Sequence, residues 1–122
     1  LSKLKELSIS NNAITDISIV SKLNGIQNLD FSYNQVEELP EFSSDCALVT
    51  IDGSYNLIQS LKPLTGLKNL NTVSMDYNEK IISVECLANC PLLISVNVFG
   101  TKVKDVSSLT DQSIVVNFDP TS

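Results

Sequence analysis

At 122 residues the chain has the length of one domain, and its 43% of hydrophobic side chains suffices for a packed core, which excludes wholesale disorder. It has no run of about eighteen apolar residues, which excludes a membrane-spanning helix. The formal net charge is −6, every cation is a lysine and there is no histidine, so the arginine-bearing stripe of a nucleic-acid binder, Ser-His-Asp chemistry and histidine metal sites are all excluded.

The chain opens inside a pattern. Leu1 stands three residues before Leu4, as Leu23 precedes Ile26 and Leu67 precedes Leu70. With no initiator methionine and no signal peptide, it reads as a piece of a longer protein whose N-terminal cap is missing. The first unit then carries Leu4, Leu7, Ile9, Asn12 and Ile14, and the second Ile26, Leu29, Phe31, Asn34 and Val36. The third has Leu48, Ile51, Gly53, Asn56 and Ile58; the fourth has Leu70, Val73, Met75 and Asn78, with its next apolar residue displaced to Ile81. The fifth has Leu93, Val96, Val98, Thr101 and Val103. Successive asparagines lie 22 residues apart, and Thr101 follows after 23. Self-similarity at such a period is the signature of a stacked-coil architecture.

Each period-2 pair, such as Leu7 and Ile9, predicts a short strand with one buried face. The asparagine follows where the backbone turns, and its amide can satisfy the donors and acceptors that the bend leaves unpaired. Thr101, with a shorter hydroxyl, fills that role less completely, and Gly53 leaves a core gap for a neighbouring side chain to fill. In the second half of the units, Ile17, Val20 and Leu23 recur as Leu61, Leu64 and Leu67, and in part as Val106 and Leu109. A three-residue spacing suits 3₁₀ turns or short helices on the outer side. The second unit departs from it through Leu39, Pro40, Phe42 and an irregular Ser43–Cys46 loop, while the fourth shifts by one residue to Val84, Leu87 and Cys90. So small a unit cannot bury its apolar face alone, so the coils stack on a shared core. Strands about 4.8 Å apart give a stack roughly 25 Å long for five coils. Residues 1–112 form the repeats, and 113–122 read as a capping strand or the start of a following segment, with Pro120 discouraging further strand addition.

The stretches Asn12-Ala13-Ile14-Thr15-Asp16-Ile17 and Leu61-Lys62-Pro63-Leu64-Thr65-Gly66-Leu67-Lys68-Asn69-Leu70 resemble the 22-residue leucine-rich-repeat class. Bacterial internalins and a regulatory subunit of protein phosphatase 1 belong to that class. The resemblance spans roughly residues 1 to 112 and, in the pairing of N-x-I-x-D-I with L-x-P-L-x-x-L, points towards internalin-like surface proteins. It implies an α/β solenoid: a curved right-handed stack with a parallel β-sheet on the concave face and 3₁₀ or short helices and loops on the convex face.

Counting outward strand positions puts Asp30, Asp52 and Asp76 on the concave face, with Phe99 in the fifth coil. Tyr33, Tyr55 and Tyr77, all the tyrosines of the chain, share the column just before the anchor asparagine, between Asn11 and Gly100. Stacked one coil apart they form an aromatic stripe with polar tips, suited either to partner contact or to covering the coil edge. The carboxylates form an acidic surface without a pocket in which to perturb one of them, so no catalytic role is expected. Cys46, Cys86 and Cys90 lack metal-ligand spacing and read as free thiols packed on outer turns. No cofactor or metal is expected.

The expected function is therefore a non-enzymatic, monomeric, protein-binding module of a bacterial cell-surface or secreted protein, acting in adhesion or host interaction. Its partner is another protein, with a glycan as the alternative, and neither nucleic acid nor membrane insertion is involved. The rival reading is a cytoplasmic scaffold resembling the phosphatase regulator.

Overall fold

The computed structural model describes residues 4–119. The expectations attached to Leu1 and Pro120 lie outside the described residues. Six short strands run in parallel in one sheet, in the order of the sequence: β1 (Glu6–Ser8), β2 (Asn28–Asp30), β3 (Thr50–Asp52), β4 (Thr72–Ser74), β5 (Ser95–Val98) and β6 (Val115–Phe118). The register follows the repeat, with Leu7 opposite Leu29, Leu29 opposite Ile51, Ile51 opposite Val73 and Val73 opposite Val96. Because the side-chain period of a strand is two, this register puts every central apolar residue on the same inner face. Leu29, Ile51, Val73 and Val96 are accordingly buried.

The outer side is built from 3₁₀ turns at Ser18–Lys22, Lys62–Leu64 and Glu85–Asn89, and from one short helix, α1 (Ser107–Thr110). Each begins behind a side-chain oxygen that accepts from a backbone N–H two residues on: Asp16 from Ser18 at 2.8 Å, Ser60 from Lys62 at 3.2 Å, Ser83 from Glu85 at 3.2 Å and Asp105 from Ser107 at 3.0 Å. Such local bonds compete with extended structure and set the chain turning. The three-residue apolar spacing then buries Ile17 and Val20, Leu61, Leu64 and Leu67, Val84, Leu87 and Cys90, and Val106 and Leu109. The one-residue shift in the fourth unit is thus real. The second unit has neither a 3₁₀ turn nor a helix between β2 and β3; instead Leu39 is buried, and Phe42 and Cys46 pack partly against the core.

Between strand and outer turn runs the asparagine ladder. Asn34 Nδ2 donates to Phe31 O at 2.8 Å in its own coil and to Ile9 O at 3.0 Å in the coil before, while its Oδ1 accepts from Asn12 N and Ile14 N, both at 3.1 Å. Asn56 repeats this with Gly53 O, Phe31 O and Val36 N, and Asn78 with Met75 O, Gly53 O and Ile58 N. Buried backbone groups need such partners, and one amide serves two coils at once. Thr101 Oγ1 donates to Val98 O at 2.7 Å and accepts from Val103 N at 3.3 Å, both inside its own coil. The gap at Gly53 is filled from both sides: a Cβ there would stand 2.6 Å from Phe31 Cζ and 2.9 Å from Met75 Sδ.

β6 joins the sheet in parallel, with Val115 opposite Ser95 and Phe118 opposite Val98. It comes 20 residues after its partner instead of 22 or 23, so the strand pairing outlasts the repeat motif. Among the described residues no helix is long and apolar enough to cross a membrane.

Candidate functional site

The sheet presents an outward face of short polar side chains, tied to one another across the strands. Thr50 Oγ1 donates to Asn28 Oδ1 at 2.6 Å, Asn97 Nδ2 to Ser74 Oγ at 3.1 Å and Asn117 Nδ2 to Asn97 Oδ1 at 2.6 Å. A shallow concavity of about 430 Å³ lies over the first four strands, with Asp30 and Asp52 among its lining residues.

The three aspartates are brought together, but not as one equivalent row. Asp30 and Asp52 face each other in register, whereas the residue opposite Asp52 on the next strand is Ser74. Asp76 lies two residues further on. Each carboxylate also serves the backbone. Asp30 Oδ1 accepts from Ser32 N at 3.0 Å and Ser32 Oγ at 2.7 Å, and Asp52 Oδ1 from Ser54 N at 3.1 Å. Asp76 Oδ1 accepts from Phe99 N at 2.7 Å in the following coil. Partial burial pushes the Asp76 carboxyl above the ordinary carboxylate value; the Phe99 N–H opposes this, and the charges of Asp52 and Asp119 add to the upward push. Asp119 lies near the C-terminal side of the face, where its Oδ2 accepts from Gly100 N at 2.6 Å.

Along the rim where the strands end, Tyr33, Tyr55 and Tyr77 form a continuous stack. Ring centroids are 4.5 Å apart for Tyr33 and Tyr55, tilted by 9°, and 4.7 Å apart for Tyr55 and Tyr77, tilted by 17°. All three are about half exposed. Their backbone is left-handed, with φ of 58°, 59° and 59°, as is that of Asn11 at 60° and Gly100 at 69° in the same column. Asparagine and glycine enter that region readily, while a bulky side chain does so against steric resistance. The coil thus demands a left-handed residue at this point, and the three inner coils meet the demand with tyrosine. Gly100 ends the stack: a Cβ there would lie 2.3 Å from Tyr77 Cδ1, so the bare glycine is the shelf on which the last ring rests. Phe99, 39% exposed, stands beside that shelf. Burial first, then the neighbouring Tyr33 and Tyr77, raise the Tyr55 phenol above its ordinary pKa, so its hydroxyl stays protonated at neutral pH.

The tyrosine column stands in line as its spacing predicts, and Asp30, Asp52, Asp76 and Phe99 lie beside it. The shelf at Gly100 and the further carboxylate of Asp119 are visible only in the structure. The co-occurrence of Asn11 and Gly100 in the tyrosine column was the available signal for the left-handed backbone. The cysteines carry free thiols: Cys90 is buried, donating to Leu64 O at 3.2 Å, and Cys46 and Cys86 are half-buried. Burial raises both Cys86 and Cys90 above the ordinary thiol pKa, which suppresses the reactive thiolate. Among the described residues no group of three or more Cys, Asp or Glu side chains could hold a metal ion.

A family model for leucine-rich repeats, two copies long, matches residues 2–44. No curated protein matches the chain. Among solved structures, internalin C2 of Listeria monocytogenes is similar at 26% identity and a TM-score of 0.84, covering 97% of this chain and 53% of its own. An internalin (inlF) of the same species superposes with a TM-score of 0.64 at 18% identity, over 97% of this chain and 43% of its own, a likeness of fold alone. The chain thus spans about half the length of internalin C2. The asparagine ladder, the six-stranded parallel sheet and the outer 3₁₀ turns agree with these likenesses, and the chain is a leucine-rich-repeat solenoid of internalin-like architecture.

Proposed function

We propose that this chain is the protein-binding part of a bacterial cell-surface or secreted protein, recognising a partner in adhesion or host interaction. The observation that carries the reading is the use of three consecutive tyrosines where the backbone is left-handed and asparagine or glycine fits with less strain. Side chains held at a strained backbone, half exposed and stacked in line, shape the surface they present. Tyr33, Tyr55 and Tyr77 supply a rigid aromatic rim, Phe99 an apolar end, and Asp30, Asp52 and Asp76 the adjoining polar floor. Recognition by shape and charge is the mechanism, and no bond is made or broken. The likeness to internalin C2 supports a surface or secreted address. The division into repeats over residues 1–112 and a closing segment over 113–122 belongs to the same proposal, as does a monomeric state.

The test uses the chain labelled with a fluorophore and intact animal cells, before and after trypsin treatment of their surface. Saturable, trypsin-sensitive binding is expected, and it is lost when Tyr33, Tyr55 and Tyr77 are all replaced by Asn. Asparagine is the residue the chain itself uses at position 11, so the left-handed backbone is preserved. A folded triple variant that binds as the parent does would move the site elsewhere.

The half-buried free thiols of Cys46 and Cys86 favour a second reading, a scaffold in a reducing compartment. Finding the parent protein in the cytosolic fraction of its own cells, with none at the surface or in the medium, would favour it.

A further inference from the structure

We infer that the occupant of the tyrosine rim is a protein segment bearing lysine or arginine, which lies along the ring edges and sets its cation against the aspartates beside them. This inference rests on the rim being a binding surface, as proposed above, and names the chemistry of its partner.

Two observations lead to it. The first is which parts of the rings remain open. Stacking covers both faces of Tyr55, one face of Tyr33 and one of Tyr77, and Gly100 covers the other face of Tyr77. Only the outer face of Tyr33 stays uncovered by this stack. A sugar ring packs on an aromatic face, and so does a cation held by a π system. Along most of the rim neither can happen. What the stack offers is a line of ring edges and hydroxyls, repeating every 4.5 to 4.7 Å. Ring edges and hydroxyls of this kind take apolar side-chain contacts and hydrogen bonds from a polypeptide.

The second observation is the sorting of charge. The outward positions of the six strands and the residues that follow them carry Glu6, Asp30, Asp52, Asp76 and Asp119, and no lysine. The hydrogen bonds of Asp30, Asp52 and Asp76 come from N–H and hydroxyl donors, which leave the negative charge in place. Behind burial, the charges of Asp52 and Asp119 add to the upward push on Asp76, which is the repulsion among these carboxylates seen from one group. A cation brought to this face relieves it, and a second acidic surface aggravates it.

A displayed library of random twelve-residue peptides, selected on the immobilised chain, tests the inference, with a panel of immobilised neutral and acidic glycans in parallel. Peptides whose binding falls when Tyr55 and Tyr77 become Asn are expected to be enriched in Lys and Arg over the unselected library. Their affinity should fall roughly fivefold in a chain carrying Asp52→Asn and Asp76→Asn, changes that keep an oxygen for the Ser54 and Phe99 N–H groups. It should fall further between about 0.1 M and about 0.5 M sodium chloride, where exposed charges are screened. Tyrosine-dependent peptides without basic enrichment, or affinity indifferent to both aspartates, would overturn the inference and leave the rim as a binding surface of other chemistry. Glycan binding lost on Tyr33→Asn alone would overturn it in favour of a sugar on the outer face of Tyr33. Binders indifferent to all three tyrosines would instead sink the rim itself.

Discussion

At the scale of the residue, asparagine and tyrosine sit next to each other in every inner coil and solve different problems. Asn78 has none of its surface exposed and holds Met75 O and Gly53 O with one end and Ile58 N with the other. Replacing it by Ala leaves at least three buried backbone groups short of a partner. A cost of about 3 kcal/mol or more is expected, since each unsatisfied group costs on the order of 1–3 kcal/mol. Urea unfolding of the Asn78→Ala chain against the parent checks this; a midpoint shift worth less than about 1 kcal/mol would mean that water replaces the amide. The asparagine was legible in the sequence because its role repeats at a fixed 22-residue interval and follows from amide chemistry. The left-handed backbone of the tyrosines was legible only through Asn11 and Gly100 in the same column, because nothing in a tyrosine side chain favours positive φ. The same holds for Asp30 and Asp52: their outward placement follows from alternation, but the serine N–H groups that engage them depend on how the coil bends after the strand.

At the scale of the element, strand register was legible because stacking coils enforce it. Leu7, Leu29, Ile51 and Val73 face one another at the interval read from the chain. β6 could be expected as a strand, but its pairing 20 residues after β5 could not be counted out, since the connection through α1 has no repeat to calibrate it. The packing of β3 was half legible. Gly53 announced a gap, and the structure shows Phe31 from the coil before and Met75 from the coil after meeting in it. Gly53→Ala is therefore an overpacking change, expected to cost about 1–3 kcal/mol because Phe31 and Met75 are both buried without room to retreat. Shortening the obstacle should restore part of the loss: in the chain already carrying Phe31→Leu, the Ala at position 53 should cost less than in the parent. Four unfolding curves close that double-mutant cycle, and an additive result would show that the strain is taken up by backbone instead of by the Phe31 ring.

At the scale of the whole molecule, the solenoid is a line of neighbours, so stability is a sum of coils and their interfaces and need not be uniform. Side chains in the third and fourth coils, among them Leu64, Leu70, Met75 and Ile81, have no exposed surface, because a coil lies on each side. Leu4, Leu7, Ile9 and Ile14 of the first coil are only partly buried. Comparable backbone bonds therefore sit in unlike surroundings: Ile9 N to Asp30 O at 2.8 Å, Gly53 N to Ser74 O at 2.9 Å and Met75 N to Asn97 O at 2.8 Å. Native-state hydrogen exchange should rank them, with the Ile9 amide exchanging on the order of a hundredfold faster than those of Gly53 and Met75, through fraying of the first coil alone. The Asn78→Ala change sharpens the test. It weakens the interfaces around the fourth coil, so protection at Gly53 and Met75 should fall with global stability, while Ile9, which already opens independently, should exchange at its former rate. Equal protection at all three amides, falling together in the variant, would instead describe one all-or-none unit. A frayed first coil would also leave the inner part of the tyrosine rim in place, since Tyr55 and Tyr77 are carried by the coils that open last.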